Sequence, residues 1–532
     1  MDKLVLLGDE AIAQGAIDGG ISGVYAYPGT PSTEITEYIQ RSKTARERKI
    51  HYDWSANEKT AMEAALGMSY AGKRALVCMK HVGLNVAADA FINSAITGIH
   101  GGLVVLAADD PSMHSSQNEQ DSRFYGKFAM IPVLEPATQQ ECYDLTYKAF
   151  ELSEKYKLPI LMRITTRLAH SRSGVRCSDI QHENQVSIPA DSTQFILLPG
   201  FARKRYKGLL EIQSTLEKDS MEMGYNTFTP GRDTKCGILV TGIAYNYYME
   251  IAREYNLDYP VLKISHYPVP DELLRMLADS AGELYVFEEG APMLEERMKG
   301  SLKSEYRIRG RLDGAVPRDG ELTPGHVASA LGIVIRRGPE IPEVVENRPP
   351  ALCKGCSHID MYNALNESLK PFGPGRVFSD IGCYTLGALP PYNAINSCVD
   401  MGASITMAKG ASDAGLRPAV AVIGDSTFTH SGMTGLLDAV MEQTPITVII
   451  SDNSTTGMTG GQKSHATDRL FNICKGLGVE DDHLISINPL KKHHEENSRI
   501  ISQELAFDGV SVIIAGRECI QTASKRRSVE KV

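Results

Sequence analysis

The sequence predicts an α/β protein of three domains, in which mostly parallel sheets are flanked by helices. Short apolar runs rich in β-branched residues alternate along the chain with longer helix-compatible stretches, which is typical of βα repeats. The 532 residues are too many for one core, because a domain usually holds about 100 to 200 residues. A hydrophobic content of 42% is sufficient to fill several cores.

The first predicted domain covers residues 1–195. It starts with a strand-like run, Leu4–Leu7, and then alternates helical stretches with the strand candidates Gly23–Tyr27, His51–Trp54, Ala75–Cys78, Gly102–Ala107 and Pro159–Ile164. This alternation predicts a parallel sheet. After Tyr27, we expect Thr30 to cap a helix that has Pro31 at its first position.

The rest of the chain predicts two more domains. Residues 196–337 read as a smaller α/β domain that begins with a charged helical connection near Phe201–Met223, and its strand candidates are Gly237–Thr241, Val261–Ile264 and Glu283–Phe287. Residues 338–350 predict a linker, because their prolines cannot sustain a helix or a central strand. Residues 351–532 form the last predicted domain.

Charge and hydropathy exclude two classes of partner. The formal net charge of −10 argues against nucleic acid, since binding phosphates along a strand requires a basic face. No apolar run approaches the length of about 20 residues that spans a bilayer, and the N-terminus lacks a signal-peptide pattern. We therefore expect a cytoplasmic protein without a membrane partner.

Two loops with oxygen-bearing side chains follow neighbouring strand candidates in the last domain. Gly424-Asp425-Ser426 follows the run Ala419–Ile423, and Asp452-Asn453 follows the run Ile446–Ile450. Ligands of parallel sheets bind beyond the carboxyl ends of strands, and Mg²⁺ prefers oxygen ligands while it bridges phosphates. Asp425, the Asn453 amide and a backbone carbonyl near Thr455 can supply such ligands. Since both segments are also common in ordinary turns, the loops alone leave both interpretations open.

Glu58 lies at a predicted strand-to-helix turn in the first domain. The strand candidate His51–Trp54 leads through Ser55-Ala56-Asn57 into a helix with small residues at Ala61, Ala64 and Ala65. A carboxylate at a helix N-terminus interacts favourably with the helix dipole, which is sufficient reason for a Glu there. Glu58 on its own therefore indicates no particular function.

Four of the ten cysteines have a spacing that is compatible with a metal site, namely Cys353, Cys356, Cys383 and Cys519. A Cys-x-x-Cys pair and two distant thiolates can complete a tetrahedral Zn²⁺ site or hold a [4Fe–4S] cluster, and His358 can compete as a ligand. Free cysteines are also often simply buried. The spacing is therefore compatible with three interpretations: an iron–sulfur cluster, a zinc site, and thiols that bind no metal.

The distant pairing of Glu58 with Asp425 and Asn453 resembles thiamine diphosphate enzymes. In those enzymes a Gly-Asp-(Gly/Ser) motif is followed by an Asn, here 28 positions after Asp425, and a Glu precedes an Ala-rich helix elsewhere in the protein. The resemblance implies a thiamine diphosphate-binding fold in which residues 1–195 bind the pyrimidine and residues 351–532 bind the diphosphate. It implies that Glu58 bonds the aminopyrimidine and promotes deprotonation of the thiazolium C2.

The same resemblance implies the remaining ligands of the cofactor. The residues expected to contact thiamine diphosphate are Gly424, Asp425, Ser426, Asn453, Thr455, Gly457 and Met458. Those expected to bind Mg²⁺ are Asp425, Asn453 and Thr455.

Longer strings resemble the 2-oxoacid:ferredoxin oxidoreductase superfamily, and within it the α subunits of the indolepyruvate-specific family. These strings are Tyr27–Ser32, Lys80–Asn85, the Cys353/Cys356 pair followed by Ser357-His358, and Asp452–Gln462. The resemblance covers nearly the whole chain. It implies that Cys353, Cys356, Cys383 and Cys519 hold one [4Fe–4S] cluster near the thiamine.

By this resemblance Thr30 and His81 face the reacting carbon. Thr30 would donate a hydrogen bond to a substrate oxygen, and His81 would transfer a proton or bind the carboxylate. A helix cap and an ordinary loop histidine are the alternatives for these two residues. His114 and Arg123, in the loop after the strand candidate Gly102–Ala107, are further candidates for substrate contacts, although loop polarity explains both equally well.

The implied reaction is oxidative decarboxylation of aryl 2-oxoacids such as indolepyruvate to aryl-acetyl-CoA. Coenzyme A is the implied co-substrate, ferredoxin or a similar protein the electron acceptor, and a smaller β subunit the partner. Two alternatives remain: a non-redox thiamine diphosphate-dependent decarboxylase or carboligase, and a non-catalytic cofactor-binding subunit. The α-subunit family usually carries a ferredoxin-like tail with Cys-x-x-Cys-x-x-Cys runs, and no such run follows Cys519. We therefore expect electrons to leave through the internal cysteines or through another protein.

Overall fold

The computed structural model describes residues 3–302, 305–335, 342–345 and 350–529. The chain forms two compact units, Met1–Pro339 and Glu340–Val532. Each unit is built on α/β sheets, which confirms the predicted fold class. The predicted linker, residues 338–350, lies largely outside the described residues.

The first unit contains a seven-stranded sheet. Its strands, in spatial order, are His266–Tyr267, Val133–Leu134, Ile160–Thr165, Leu103–Asp109, Ala75–Lys80, Gly23–Ala26 and His51–Trp54. All neighbours are parallel except the first pair. The central strand Leu103–Asp109 is buried along its whole length, as expected for a parallel strand covered on both faces.

Helices connect these strands, as the sequence predicted. They are Gly8–Asp18, Thr33–Arg41, Lys43–Glu47, Glu58–Tyr70, His81–Thr97, Arg123–Ala129, Gln139–Tyr156 and Thr166–His170, with a short 3₁₀ turn at Pro111–Met113. Asn57 caps the helix that begins at Glu58, because its side-chain oxygen accepts a hydrogen bond from the Thr60 amide at 2.8 Å.

The first strand differs from its predicted place in the parallel repeat. Lys3–Leu7 pairs antiparallel with Arg172–Arg176 in a separate two-stranded ribbon. An apolar run predicts a strand but not its partner, since both pairing directions accept the same short run.

A second, five-stranded sheet in the first unit comes from the middle of the chain. Its strands, in spatial order, are Arg307–Arg309, Glu283–Phe287, Cys236–Thr241, Val261–Ile264 and Thr227–Thr229. Its helices are Pro199–Glu211, Gln213–Glu222, Ala244–Glu254, Asp271–Asp279, Met293–Ser301 and Pro324–Ala330. One continuous apolar core runs through both sheets. The division of residues 1–337 into two domains therefore stays a prediction.

Buried ion pairs also connect the two sheets of the first unit. Arg163 donates to Asp109 at 2.6 Å and to Glu135 at 2.5 Å. Arg123 donates to Asp121 at 2.5 Å and to Glu288, which follows the strand Glu283–Phe287, at 2.8 Å. Both guanidinium groups are fully buried, so removal of one partner would leave an uncompensated charge.

The second unit is built on a six-stranded parallel sheet. Its strands, in spatial order, are Ser397–Cys398, Val377–Ser379, Val420–Gly424, Ile446–Asp452, Val510–Gly516 and Leu484–Ile487. Its longer helices are Ser357–Leu369, Ala403–Asp413, Met433–Met441, Leu470–Gly476, His494–Leu505 and Ile520–Val529. Separate apolar cores cover the two faces.

Short elements lie at the carboxyl end of this sheet. They are a helical turn at Asp425–Thr427 continued by a π-helical turn at Phe428–Gly432, 3₁₀ turns at Cys383–Ala388 and Gly457–Thr459, and a two-stranded ribbon of Thr455–Thr456 with Gln462–Lys463. Among the described residues, no helix combines the length and apolar character that a membrane crossing requires.

Candidate functional site

Three predicted catalytic residues follow three adjacent strands of the first sheet. Thr30 follows Gly23–Ala26, Glu58 follows His51–Trp54, and His81 follows Ala75–Lys80 directly. Because these strands are parallel neighbours, their carboxyl ends lie at one edge of the sheet. The fold therefore gathers the three residues at this edge.

Glu58 is buried at the first position of its helix. Its carboxylate lies against Gly83 in the next helix, where an added Cβ would lie 2.6 Å from Glu58 Oε1. Glu58 also acts electrostatically on Lys80, whose pKa is lowered by burial and raised in part by Asp110 and Glu58. Glu58 thus lies between two helix N-termini and beside a lysine.

His81 is buried at the start of the helix His81–Thr97. Its Nε2 lies 3.2 Å from the Asn118 carbonyl oxygen and 3.1 Å from Asn118 Oδ1. Its Nδ1 is buried without a hydrogen-bond partner among the described groups. A buried imidazole that is held by one nitrogen and unbonded at the other is suited to exchange a proton with a bound molecule.

The predicted helix cap at Thr30 is wrong. The helix begins at Thr33, because the amide and hydroxyl of Ser32 both donate to the Gly29 carbonyl, at 2.9 and 2.8 Å, and close a turn over residues 29–32. Thr30 lies in that turn. Its carbonyl accepts a hydrogen bond from the Ser115 hydroxyl at 3.1 Å.

The loop after the strand Leu103–Asp109 contacts Lys80 and His81 through residues that the sequence did not predict. Lys80 Nζ donates to the Ser115 carbonyl at 2.9 Å, and Asn118 holds His81. Lys80 belongs to the string Lys80–Asn85, whereas Ser115 and Asn118 belong to no motif. Arg123, a candidate substrate contact, instead lies in the buried ion network, and His114 lies 3.2 Å from Glu321.

The phosphate-type loops of the second unit are adjacent. Gly424 pairs with Ser451 in the parallel register of Val420–Gly424 and Ile446–Asp452, so both loops leave the sheet side by side. Gly424 is needed for a further reason, because an added Cβ would lie 2.6 Å from the ring of Tyr384. The Ser426 and Thr456 hydroxyls are 3.0 Å apart and join the loops.

Asp425 has the properties of a cation ligand. Its side chain is 2% exposed, and its Oδ2 has no hydrogen-bond partner among the described groups. Burial and, to a lesser extent, Asp452 raise the pKa of Asp425 to about 7, although a hydrogen bond from Ser464 opposes the rise. A buried carboxylate with one unpaired oxygen requires a proton or a cation, which suits a Mg²⁺ ligand.

The other predicted cofactor contacts lie along the loop that follows Asp452. Asn453 Oδ1 accepts a hydrogen bond from the Thr455 amide at 3.1 Å, and both residues are buried. Gly457 adjoins Cys383, since an added Cβ would lie 3.1 Å from its Sγ. Met458 is 56% exposed, which leaves its side chain open to a ligand.

The four predicted cluster cysteines belong to the same region of the second unit. Burial and the neighbouring thiols of Cys356, Cys519 and Cys353 together raise the pKa of Cys383 to about 12. The Cys356 amide donates to the Cys353 carbonyl at 2.9 Å, and the Cys519 amide donates to the Asn453 carbonyl at 3.1 Å. The cysteines therefore adjoin the loop that carries the predicted diphosphate contacts.

The spacing of the sulfur atoms is wider than a zinc site requires. Thiolates that share one tetrahedral Zn²⁺ at about 2.3 Å lie about 3.8 Å apart. No three of these four Sγ atoms, all in the described part of the chain, lie within 4.8 Å of one another. In a [4Fe–4S] cluster each cysteine binds a different iron, so wider spacing is expected.

His358, the competing ligand candidate, lies in the same unit. Its Nδ1 lies 2.7 Å from Ser451 Oγ, and burial lowers the pKa of His358 to about 4.

A buried polar group beneath the phosphate-type loops was also missed. Asp380 accepts hydrogen bonds from the Ser404 hydroxyl at 2.5 Å, the Ser404 amide at 3.2 Å and the Tyr384 hydroxyl. Burial raises the pKa of Asp380 to about 7. Asp380 thereby fixes the Tyr384 ring that packs on Gly424. Asp380 lies three positions before Cys383, and this proximity was the only signal in the sequence.

Two family models each match a part of one unit of the chain. Residues 14–200 match the family model "Pyruvate flavodoxin/ferredoxin oxidoreductase, thiamine diP-bdg", and residues 380–483 match "Thiamine pyrophosphate enzyme, C-terminal TPP binding domain". The 2-oxoglutarate:ferredoxin oxidoreductase of Magnetococcus marinus has a similar fold, with a TM-score of 0.50 at 16% identity over 62% of this chain and 65% of that chain.

Several relatives extend over nearly the whole chain. The indolepyruvate oxidoreductase subunit IorA of Archaeoglobus fulgidus is 37% identical over 99% of this chain and 88% of its own length. The subunit of the same name from Methanothermobacter thermautotrophicus is 36% identical over 99% and 88%, and that from Thermococcus kodakarensis is 35% identical over 97% and 86%. The chain therefore belongs to the 2-oxoacid:ferredoxin oxidoreductases, in the family of the IorA subunits.

Proposed function

We propose that this chain is the catalytic α subunit of an enzyme that oxidatively decarboxylates aryl 2-oxoacids, such as indolepyruvate, to aryl-acetyl-CoA. The observation that carries the proposal is the group of four cysteines beside the loop of Asn453 and Gly457. A non-redox decarboxylase needs no electron acceptor there, and a non-catalytic subunit needs no buried Glu58. The IorA relatives are named for indolepyruvate, which supports the aryl substrate.

Asp425, Asn453 and a backbone carbonyl near Thr455 hold Mg²⁺ in this proposal. The unpartnered Asp425 Oδ2 supports this assignment, since a divalent ion would satisfy it. Ser426, Gly457 and Met458 contact the diphosphate, while Gly424 leaves room for Tyr384. When bound, thiamine diphosphate supplies a carbon nucleophile and a sink for the electron pair that decarboxylation leaves.

In the first unit, Glu58 bonds the aminopyrimidine and sets its tautomer. Its buried position supports this role, because a carboxyl exchanges a proton effectively where water does not compete. His81 handles a substrate proton or the substrate carboxylate through Nδ1, which is not engaged by the described residues. Thr30 donates its hydroxyl to a substrate oxygen, and the hydrogen bond from Ser115 to its carbonyl positions the turn.

Cys353, Cys356, Cys383 and Cys519 hold one [4Fe–4S] cluster, which supplies single-electron acceptance when bound. The sulfur spacing, wider than for zinc, supports this choice. Ferredoxin or a similar protein would accept the electrons in this proposal. A smaller β subunit completes the enzyme, and coenzyme A accepts the acyl group.

The proposal is tested on the chain purified without oxygen together with its co-expressed partner subunit. We expect dithionite to bleach its visible absorption, and indolepyruvate to reduce a viologen dye only when coenzyme A is present. Glu58→Gln should abolish reduction yet retain thiamine diphosphate, with slow hydrogen–deuterium exchange at the thiazolium C2. Carbon dioxide release without dye reduction, in protein that lacks iron and acid-labile sulfide, would instead establish the non-redox enzyme.

A further inference from the structure

Three side chains that the proposed function does not use meet in the first unit. Asp9 lies in the first turn of the helix Gly8–Asp18, Glu34 in the first turn of the helix Thr33–Arg41, and His170 ends the helix Thr166–His170. Their possible ligand atoms all lie within 4.8 Å of one another. His170 Nε2 is 3.6 Å from Glu34 Oε2.

Asp9 is the unusual member of this group. It is fully buried, and neither of its carboxylate oxygens has a hydrogen-bond partner among the described groups. Glu34 is partly exposed, and its Oε2 has no hydrogen bond among those groups either, although it lies 3.6 Å from His170 Nε2. An added Cβ at Gly8 would collide with the Leu168 carbonyl oxygen, so the start of the helix is fixed against the segment that carries His170. A buried, unpaired carboxylate is costly and requires a positive counterpart.

A shared proton satisfies this group less well than a cation. One proton between Asp9 and Glu34 bonds one oxygen of each and leaves the second Asp9 oxygen unpartnered. Both carboxylates also lie in first helical turns, where the helix dipole favours the ionised form. The imidazole adds a third donor directed at the same point.

We propose that Asp9, Glu34 and His170 bind one divalent transition-metal ion, with Zn²⁺ the best match. Imidazole and carboxylate are Zn²⁺ ligands, whereas Mg²⁺ and Ca²⁺ prefer oxygen alone. Tetrahedral ligands at about 2.0 to 2.1 Å from Zn²⁺ lie about 3.4 Å apart, close to the 3.6 Å between Glu34 and His170. The side chains of Glu34 and His170 are 36% and 34% exposed, which gives the ion an entry path and its fourth ligand, a water molecule.

This ion would hold three helices together. The helix Thr33–Arg41 directly follows the turn over residues 29–32 that contains Thr30. An ion bound by Glu34 would therefore restrain the turn that contains Thr30 through the start of this helix, and the ion would not contact substrate. The inference concerns metal content and structure, so it stands or fails independently of the proposed reaction.

The test is equilibrium dialysis of the full chain against Zn²⁺, followed by elemental analysis and by anomalous diffraction at the zinc edge. We expect Asp9→Asn and His170→Gln each to bind one equivalent less than the wild-type protein. Glu37→Gln is the matched control, because Glu37 lies on the same helix but pairs with Arg41 at the surface, 2.6 Å away. Any zinc bound by the cysteines of the second unit adds the same amount to every variant, so the difference between variants reports only the proposed site.

Two results would overturn the proposal. Equal zinc content in the wild-type protein and in both variants, without an anomalous peak between the three side chains, would establish a shared proton instead. Retention of the full zinc content by His170→Gln alone would remove the imidazole from the ligand set and contradict the site as stated. His170 is partly exposed, so this variant is expected to fold, and circular dichroism checks that it does.

Discussion

Glu58 and Gly83 are in close contact: an added Cβ at Gly83 would lie 2.6 Å from Glu58 Oε1, 2.7 Å from its Cγ and 2.9 Å from its Cδ. The atoms in conflict all belong to one flexible side chain, so Ala at this position displaces the Glu58 carboxylate rather than the backbone. A substitution at Gly83 therefore moves the Glu58 carboxylate while Glu58 itself is unchanged.

We expect Gly83→Ala to lower kcat by up to about 100-fold, because a displacement of about 1 Å in a catalytic group can have that effect. The measurement is steady-state reduction of a viologen dye by indolepyruvate and coenzyme A. Gly67→Ala is the control, since Gly67 lies in the helix Glu58–Tyr70 with nothing within 4 Å of an added Cβ. Equal kcat in both variants would show that the position of Glu58 does not limit the reaction.

Asp425→Ala should weaken the binding of thiamine diphosphate with Mg²⁺ by at least about tenfold, because it removes a metal ligand. Isothermal titration calorimetry measures the affinity. Asp438→Ala is the control, since Asp438 is exposed on the helix Met433–Met441 of the same unit. If Asp425→Ala binds the cofactor as tightly as the control, Asp425 is not a ligand of the ion.

Gly457→Ala tests whether Cys383 is a ligand of the proposed cluster, because Gly457 lies in the loop next to its sulfur atom. The new methyl group would lie 3.1 Å from Cys383 Sγ, so the sulfur must move by a few tenths of an ångström. We expect lower iron content, or a shifted electron paramagnetic resonance spectrum of the reduced cluster. Gly516→Ala, with nothing within 4 Å of its Cβ, should match the wild-type protein. An unchanged spectrum and iron content in Gly457→Ala would exclude Cys383 as a ligand.

Local patterns were sufficient to predict the ends of strands. The strands Val420–Gly424 and Ile446–Asp452 end one and two residues after the predicted runs, because a buried parallel strand is a short apolar run that stops at a polar turn. His51–Trp54 has the predicted bounds for the same reason. Since parallel strands share one carboxyl edge, these local assignments also located the candidate residues of each unit at the edge of its own sheet.

The missed features depend on contacts between distant segments. The Thr30 cap failed because Ser32 uses both of its donors on the Gly29 carbonyl, which no propensity scale anticipates. The contact of Lys80 with Ser115 and the group of Asp9 with His170 join residues far apart in sequence. Polarity predicts that Asp9 is exposed, and its complete burial in this group overrides that prediction.

Glu289 offers a test of the buried charges in the first unit. Burial raises its pKa from 4.5 to about 7, and its Oε2 has no hydrogen-bond partner among the described groups, while its Oε1 accepts from the Leu322 amide at 3.1 Å. Because the folded state holds this proton more tightly than the unfolded state, protonation favours folding. Stability should therefore fall as the pH rises from about 4.5 to about 7 and then remain level, a loss of at most about 3 kcal/mol.

Glu289→Gln keeps the shape of the neutral acid and cannot ionise. We expect its thermal unfolding temperature to equal that of the wild-type protein near pH 4.5 and to exceed it above pH 7, with the difference growing between these values. Glu296→Gln is the control, since Glu296 is exposed on the helix Met293–Ser301 and its loss should not change the wild-type pH profile. A constant offset between Glu289→Gln and the wild-type protein across this range would mean that Glu289 remains ionised in the folded state, balanced by Arg163, whose Nη2 donates to the Glu289 carbonyl oxygen at 3.0 Å.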